Sequence, residues 1–161
     1  MTEQLFVLES ASKEEKYSSL MPQLRSLIED ESDLIANLAN VTAVLKTTFD
    51  FLWIGFYINK NDELVLGPFQ GPLACTRIEI GKGVCGTVAQ KQETLVVPDV
   101  DQFPGHIVCS EDSKSEIVVP LVVDGRTEMV LDVDGTELNG FDEVDQRYLE
   151  ELVEMIKGNH Y

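Results

Sequence analysis

The chain has 161 residues, with 12 lysines and arginines against 29 aspartates and glutamates, which gives a formal charge of −17 at pH 7. This length suits one domain with a substantial core, because a chain of this size buries roughly 68–70% of the surface that it exposes when unfolded. The strong negative charge argues against binding to nucleic acids or to anionic membranes, which such a surface repels.

The N-terminal residues, the lack of long apolar stretches and the cysteines indicate the cellular compartment of the protein. No apolar stretch reaches the roughly 18 residues that span a bilayer, and residues 1–4 (MTEQ) lack the basic start and apolar stretch of a secretory signal. We therefore expect a cytoplasmic protein. Because the cytosol keeps thiols reduced, Cys75, Cys85 and Cys109 favour reactive, metal-binding or buried roles over a structural disulfide framework.

The N-terminal segment, about residues 1–48, is predicted to be helical. Ser12 and Glu15 form a capping-box pattern that starts one helix. Pro22 interrupts or re-initiates this helix, and Asp33 starts a second one. The apolar faces of the two helices are expected to consist of Leu20, Leu24, Leu27 and Ile28, and of Leu34, Ile35, Leu38, Val41 and Leu45.

From residue 51 the pattern becomes that of strands. Two apolar runs at 51–58 and 63–66 flank a polar turn, which predicts a hairpin. A tight turn at Asp124-Gly125 predicts a second hairpin. The remaining strands are expected at 76–80, 94–97, 116–123 and 127–133.

Two more helices complete the prediction. Residues 83–90 are expected to form a short helix, and a C-terminal helix, about 142–157, is expected to bury Tyr148, Leu149, Leu152 and Ile156. Together with the sheet and its loops, about 50–135, this predicts an α+β fold with a central, mainly antiparallel sheet flanked by N- and C-terminal helices.

Six motifs, taken together with the three cysteines, carry a resemblance to a known family. They are WIGFY at 53–57, LGPFQG at 66–71, GKGVCGT at 81–87, FPGHI at 103–107, SEIVVP at 115–120 and LDVD at 131–134. With them the chain resembles the free methionine-(R)-sulfoxide reductases, which are single GAF-domain enzymes. The resemblance implies one GAF domain over residues 1–161.

The resemblance also implies an activity: reduction of free L-methionine-(R)-sulfoxide to methionine, with electrons from thioredoxin and from NADPH through thioredoxin reductase, and without a bound cofactor or metal. A thiolate must attack the sulfoxide sulfur, and a second thiol must clear the resulting sulfenic acid as a disulfide. By similarity Cys109 is the nucleophile, and Cys85 or Cys75 the resolving residue. Cys85 is favoured, because adjacent glycines give its loop freedom and a helix N-terminus favours its thiolate.

The substrate-binding residues follow from the same resemblance. Glu116, Asp132 and Asp134 match the acids that hold the substrate ammonium and help to protonate the sulfoxide oxygen. A carboxylic acid that donates a proton near neutral pH must be desolvated or lie beside a like charge. Trp53 and Tyr57 match the aromatic wall for the methyl-sulfur end. The substrate carboxylate is expected at backbone N–H groups near Cys85 or Cys109.

Other interpretations remain open. Single cysteines are commonly buried small hydrophobes, Trp53 and Tyr57 would also suit a core, and His106 suits a surface turn as well as a site. A zinc site from Cys75, Cys85, His106 and Cys109 is a weak alternative, since the chain has no Cys-x-x-Cys clip. The alternative function is a GAF module that senses a small molecule or redox state without turnover.

The chain departs from the family pattern near the acids, with Glu128-Met129 before the Leu-Asp strand and Gly135 after Asp134. A different bend of this strand is therefore expected to affect substrate affinity and the role of Asp134. A homodimer through the N-terminal helices is a further expectation from the resemblance.

Overall fold

A computed structural model describes residues 5–7 and 9–161, so residues 1–4, from which the lack of a leader was inferred, lie outside it. The elements in the described chain follow in the order α1 (Lys13–Glu29), α2 (Leu34–Phe49), β1 (Trp53–Lys60), β2 (Glu63–Gln70), β3 (Arg77–Glu79), α3 (Gly83–Lys91), β4 (Leu95–Val97), a 3-10 turn (Val100–Gln102), β5 (Ser115–Val123), β6 (Arg126–Gly135) and α4 (Glu143–His160).

The six strands form one sheet in the order β3-β2-β1-β6-β5-β4, and every neighbouring pair is antiparallel. Helices α1, α2 and α4 bury their apolar sides with one face of this sheet. The predicted α+β class and its helix-flanked antiparallel sheet are therefore confirmed.

Side-chain alternation along β1 separates the two faces of the sheet. Ile54 and Phe56 lie in the large core under α1, α2 and α4. Trp53 and Tyr57 lie on the other face, in a smaller apolar cluster that includes Cys85 of α3. This second face is covered by one short helix and by loops, which leaves room for a cavity.

Several local predictions are confirmed by the backbone. Ser12 and Glu15 form the expected capping box, and the Asp33 side chain caps α2. Asp124 and Gly125 both have positive φ, as a tight hairpin turn requires.

Three details of the prediction need correction. Helix α1 continues through Pro22 without a break. The carbonyl of Ser18, which loses its helical donor to the proline, belongs to an exposed residue that water can reach. Ile35, expected on the apolar face of α2, is 52% exposed. Strand β2 extends beyond the predicted residue 66 to Gln70, because a bulge in its pairing with β1 accommodates Pro68.

Among the residues that the structure describes, no helix has both the length and the apolar character that a membrane crossing requires.

Candidate active site

A cavity of about 550 Å³, counting its open mouth, lies on the sheet face that carries Trp53 and Tyr57. Strands β1, β5 and β6 form its floor. Residues 82–85 at the start of α3, together with the loop segments 73–74 and 106–113, form its walls. Three strands and three further segments of the chain therefore meet at one site.

Three acids lie together on the floor of this cavity. Glu116 of β5 pairs in register with Asp134 of β6, and Asp132 lies on the same face two residues earlier. Glu116 is 5% exposed and Asp132 is 6% exposed, whereas Asp134 is partly exposed. Because all three residues belong to paired strands, the sheet fixes the spacing of their carboxyl groups.

Burial raises the pKa of each of these carboxyl groups. Desolvation raises the pKa of Asp132 to about 6. Hydrogen bonds with Glu116 and Cys85 limit this rise. The pKa values of Glu116 and Asp134 lie well above their usual range, because of burial and then because of the charge of Asp132. Burial of neighbouring carboxyl groups therefore favours protonated forms in this cluster, most strongly at Glu116 and Asp134.

A disulfide joins Cys75 and Cys109 at the mouth of the cavity, across 34 residues of sequence. Cys109 lines the cavity and is exposed, and Cys75 is half-buried in the segment before β3. The bond brings together the nucleophile expected from the sequence and one of its two expected partners. It also uses two of the four ligands of the weak zinc alternative.

The preference for Cys85 as the partner of Cys109 differs from this structure, in which Cys85 is free and buried. Its Sγ lies 3.9 Å from Oε1 of Glu116. Burial, and then the charges of Asp132 and Glu116, raise the pKa of the Cys85 thiol well above its usual value. The carboxyl groups thus outweigh the helix N-terminus that was expected to favour its thiolate.

Gly83, two residues before Cys85, supplies the backbone conformation with which α3 begins. Gly83 has φ +60° and begins α3, where Lys82 supplies no side-chain cap. The first-turn N–H groups of α3 therefore lack capping partners beside the cavity, which is lined by Gly83 and Val84. Such a helix start suits a carboxylate.

Trp53 and Tyr57 serve the apolar cluster and line the cavity at the same time. Their ring centroids are 5.9 Å apart, and Trp53 also stacks on Phe69 at 5.4 Å. The Tyr57 hydroxyl donates a hydrogen bond of 2.9 Å to the carbonyl of Cys75. The indole Nε1 of Trp53 is buried without a hydrogen-bond partner, as is Oδ1 of Asp132.

Two further residues belong to the site. His106, which suited a surface turn as well as a site, places Nε2 3.9 Å from Oε2 of Glu116, and burial lowers its pKa, which favours the neutral ring. Ser113 was missed by the sequence analysis. Its hydroxyl donates a hydrogen bond of 2.6 Å to Oδ1 of Asp134. The only signal for Ser113 was its position just before the motif that contains Glu116.

The departures from the family pattern leave the acids in regular pairing. A shift in register in the β5–β6 pair falls near Glu128, between the pairs that involve Thr127 and Met129. From Met129 to Gly135 the pairing is continuous. This irregularity lies at the hairpin end of β6, away from Asp132 and Asp134.

Comparison with known proteins gives consistent matches. The sequence model of the GAF domain matches residues 29–156. GAF domain-containing protein A of Dictyostelium discoideum is 55% identical over 150 residues, which cover 92% of this chain and 95% of the relative. Free methionine-R-sulfoxide reductase of Saccharomyces cerevisiae is 42% identical over 154 residues, which cover 90% of this chain and 86% of the relative.

A similar experimental structure is the X-ray structure of free methionine-R-sulfoxide reductase from Neisseria meningitidis in complex with its substrate. It is 52% identical to this chain and superposes with a TM-score of 0.92. The match covers 97% of this chain and 95% of the other.

Proposed function

From the premise that the chain belongs to the GAF-domain family and is a free methionine-R-sulfoxide reductase, we propose how its residues divide the reaction. The observation that carries the proposal is the Cys75–Cys109 disulfide at the mouth of a cavity whose floor contains buried acids with raised pKa values. The cavity thus contains two thiols that supply two electrons. It also contains acids that can give a proton to the sulfoxide oxygen.

The reduction step assigns Cys109 as the nucleophile. Its thiolate attacks the sulfoxide sulfur while a protonated carboxyl group, Glu116 or Asp134, gives its proton to the sulfoxide oxygen. The resulting hydroxyl group passes from the substrate sulfur to the Cys109 sulfur as the bond between the two sulfurs breaks, so methionine leaves with two more electrons than the sulfoxide and Cys109 is oxidised to a sulfenic acid. Burial raises the pKa values of both acids, which favours the protonated form that a donor requires.

The resolving step assigns Cys75 as the first partner. The Cys75 thiol attacks the Cys109 sulfenic acid, which gives the disulfide and one molecule of water. The bond between these two residues in the structure supports this order. Cys85 is less suited, because burial and neighbouring carboxyl groups disfavour its thiolate. Cys85 then acts by packing beside Glu116.

The substrate occupies the cavity in one orientation. Its ammonium group pairs with the carboxylate of Asp132, whose Oδ1 has no partner in the free protein. Its carboxylate accepts hydrogen bonds from the first-turn N–H groups of α3. Its methyl-sulfur end packs against Trp53 and Tyr57, and the unpaired indole Nε1 supplies a donor for a polar substrate atom.

We also propose the reductant, the cellular compartment and the oligomeric state. A thioredoxin dithiol reduces the Cys75–Cys109 bond by thiol exchange, with NADPH as the source of electrons through thioredoxin reductase. This chemistry requires a compartment that keeps thiols reduced, which supports the cytoplasm. A homodimer would use the N-terminal segment, where Phe6 is 74% exposed.

The test is a coupled assay with thioredoxin, thioredoxin reductase and NADPH. NADPH consumption is followed separately with free L-methionine-(R)-sulfoxide, with the S epimer and with a peptide-bound sulfoxide. We expect turnover of the free R epimer alone. No turnover, with dithiothreitol as reductant as well, would favour a sensory GAF module that binds without reaction.

A further inference from the structure

The floor of the cavity contains a cluster of donors that the reaction uses only in part. Cys85, Glu116 and Asp132 each present one ligand atom, and these three atoms all lie within 4.8 Å of one another. All three residues are buried. They come from α3, β5 and β6, so the cluster is formed by packing of separate elements rather than by neighbouring residues in sequence.

We propose that Cys85, Glu116 and Asp132 form a binding site for a divalent transition-metal ion of the Zn²⁺ type, and that an ion bound there excludes the substrate ammonium. The binding claim depends on geometry alone. The exclusion of substrate rests on the proposed function.

The spacing of the donors suits a tetrahedral ion. Ligands bound at about 2.0–2.3 Å in tetrahedral geometry lie roughly 3.3–3.6 Å from one another. The distance from Sγ of Cys85 to Oε1 of Glu116 is 3.9 Å, so a small contraction brings both onto one ion. Nε2 of His106 lies 3.9 Å from the second oxygen of Glu116 and is suited to a fourth position, which water fills otherwise.

A second observation points to a missing cationic partner. Oδ1 of Asp132 is buried without a hydrogen-bond donor, and the residue is only 6% exposed. Buried carboxylate oxygens are normally paired, so an unpaired one beside a cavity indicates an absent ligand. An ammonium group and a metal ion both satisfy this oxygen, so they compete for it.

The type of ion follows from the donor set. A cysteine sulfur beside carboxylate and imidazole groups favours zinc or cobalt over magnesium or calcium, which prefer oxygen alone. The ligating thiol and Glu116 carboxyl must lose their protons, so binding releases protons to the solvent. No electron transfer is involved, and Cys109 keeps its own chemistry.

The oxidised protein gives a direct spectroscopic test. With Cys75 and Cys109 joined, Cys85 is the one free thiol. Sulfur-to-cobalt charge transfer after addition of Co²⁺ must therefore arise from Cys85. This signal separates the cavity from weak Co²⁺ binding to surface carboxylates, which contribute no thiol, in a chain with a formal charge of −17.

We expect a near-ultraviolet charge-transfer band that saturates with Co²⁺, decreases on addition of Zn²⁺ and is unaffected by Mg²⁺. Cys85→Ser should abolish the band. Asp132→Asn should weaken Co²⁺ affinity by at least the roughly 10- to 100-fold that loss of a supporting group costs at metal sites. Glu93→Gln, at an exposed residue, is the control and should leave the band and the affinity unchanged.

Two results would overturn the site: no band in the wild-type protein with its circular dichroism intact, or equal Co²⁺ affinity in Cys85→Ser by calorimetry. If the coupled assay shows turnover, Zn²⁺ should also raise the apparent KM for the sulfoxide, and a chelator should reverse this. Failure of turnover with a clear cobalt band would refute the enzyme and leave the metal site.

Discussion

The hydroxyl of Tyr57 donates a hydrogen bond of 2.9 Å to the backbone carbonyl of Cys75. This bond connects the aromatic wall of the cavity to the segment that carries Cys75, the proposed resolving cysteine, so Tyr57 contacts both the cavity and the disulfide-bearing segment. Tyr57 is 2% exposed and belongs to β1, which gives the otherwise loop-borne Cys75 a fixed support.

Tyr57→Phe is expected to slow disulfide formation. Loss of one hydrogen bond costs about 1 kcal/mol, which corresponds to about a fivefold change in how often Cys75 is in position. The reduction of the first sulfoxide should keep its rate. Stopped-flow measurement of methionine formation and of thiol loss, after mixing with one equivalent of substrate, separates the two steps.

Tyr148→Phe is the matched control for this variant. It also removes a tyrosine hydroxyl that donates a hydrogen bond, in this case to Glu14 on the exposed surface. An equal slowing in both variants would show that the Tyr57 hydroxyl has no particular role in placing Cys75.

Gly55→Ala is expected to weaken substrate binding. A Cβ at this position would clash with the Trp53 ring, lying 2.9 Å from its Cζ2, and would lie 2.5 Å from Cβ of Phe69. The indole and the neighbouring strand must therefore shift, which changes the aromatic wall of the cavity. KM for the free R epimer should rise severalfold, and more than kcat falls.

The control for steric effects is Gly158→Ala, because a Cβ there meets nothing within 4 Å. It should retain the wild-type KM. An unchanged KM in Gly55→Ala, with intact tryptophan fluorescence, would mean that the position of the Trp53 ring does not determine affinity.

Asp132→Asn is expected to stabilise the substrate-free protein in a pH-dependent way. The pKa of Asp132 is raised to about 6 in the fold. Its protonated carboxyl group therefore contributes fully to stability below the pKa of the unfolded chain, and this contribution is lost as pH rises through about 6. At neutral pH the wild-type carboxylate then costs on the order of 3 kcal/mol, which asparagine avoids.

Urea unfolding of the oxidised protein between about pH 4 and pH 8 measures this effect. The advantage of the variant should grow between about pH 4 and pH 6 and then level off. Asp124→Asn, in an exposed turn, should show no such trend. A constant difference for Asp132→Asn at every pH would contradict burial of a titrating group.

Ser113→Ala is expected to move the alkaline limit of activity upward. The Ser113 hydroxyl donates to Oδ1 of Asp134 and so favours the charged form of this acid. Without this donor the pKa of Asp134 rises further, and a protonated Asp134 persists to higher pH. The pH profile of kcat reports the shift.

Ser113→Thr retains the hydroxyl and should restore the wild-type profile. A fall in kcat with no movement of the alkaline limit would indicate that Ser113 only positions its loop, and that Asp134 is not the proton donor.

The sequence specified the architecture well where the pattern is local. The Ser12 capping box, the Asp33 cap and the Asp124-Gly125 turn depend on residues within a few positions of one another. The bulge that lets β2 continue through Pro68 depends on pairing with β1, and its extent could not be derived from β2 alone.

The sequence predicted which residues belong to the site better than it predicted how those residues contact one another. Alternation along β6 placed Asp132 and Asp134 on one face, but only the packing of α3 against β5 and β6 shows that Cys85 lies among carboxyl groups. Glycines around Cys85 suggested mobility, whereas Gly83 uses its positive φ to begin a buried helix. Ser113 was missed because its partner, Asp134, is 21 residues away.

The most direct test of the thiol assignments is the amount of methionine released per protein molecule when reduced enzyme meets excess free L-methionine-(R)-sulfoxide without added reductant. We predict about one equivalent for the wild type, for Cys75→Ser and for Cys85→Ser, and none for Cys109→Ser. With thioredoxin, Cys85→Ser should continue to turn over and Cys75→Ser should stop. Methionine release by Cys109→Ser, or sustained turnover by Cys75→Ser with arrest of Cys85→Ser, would contradict the account.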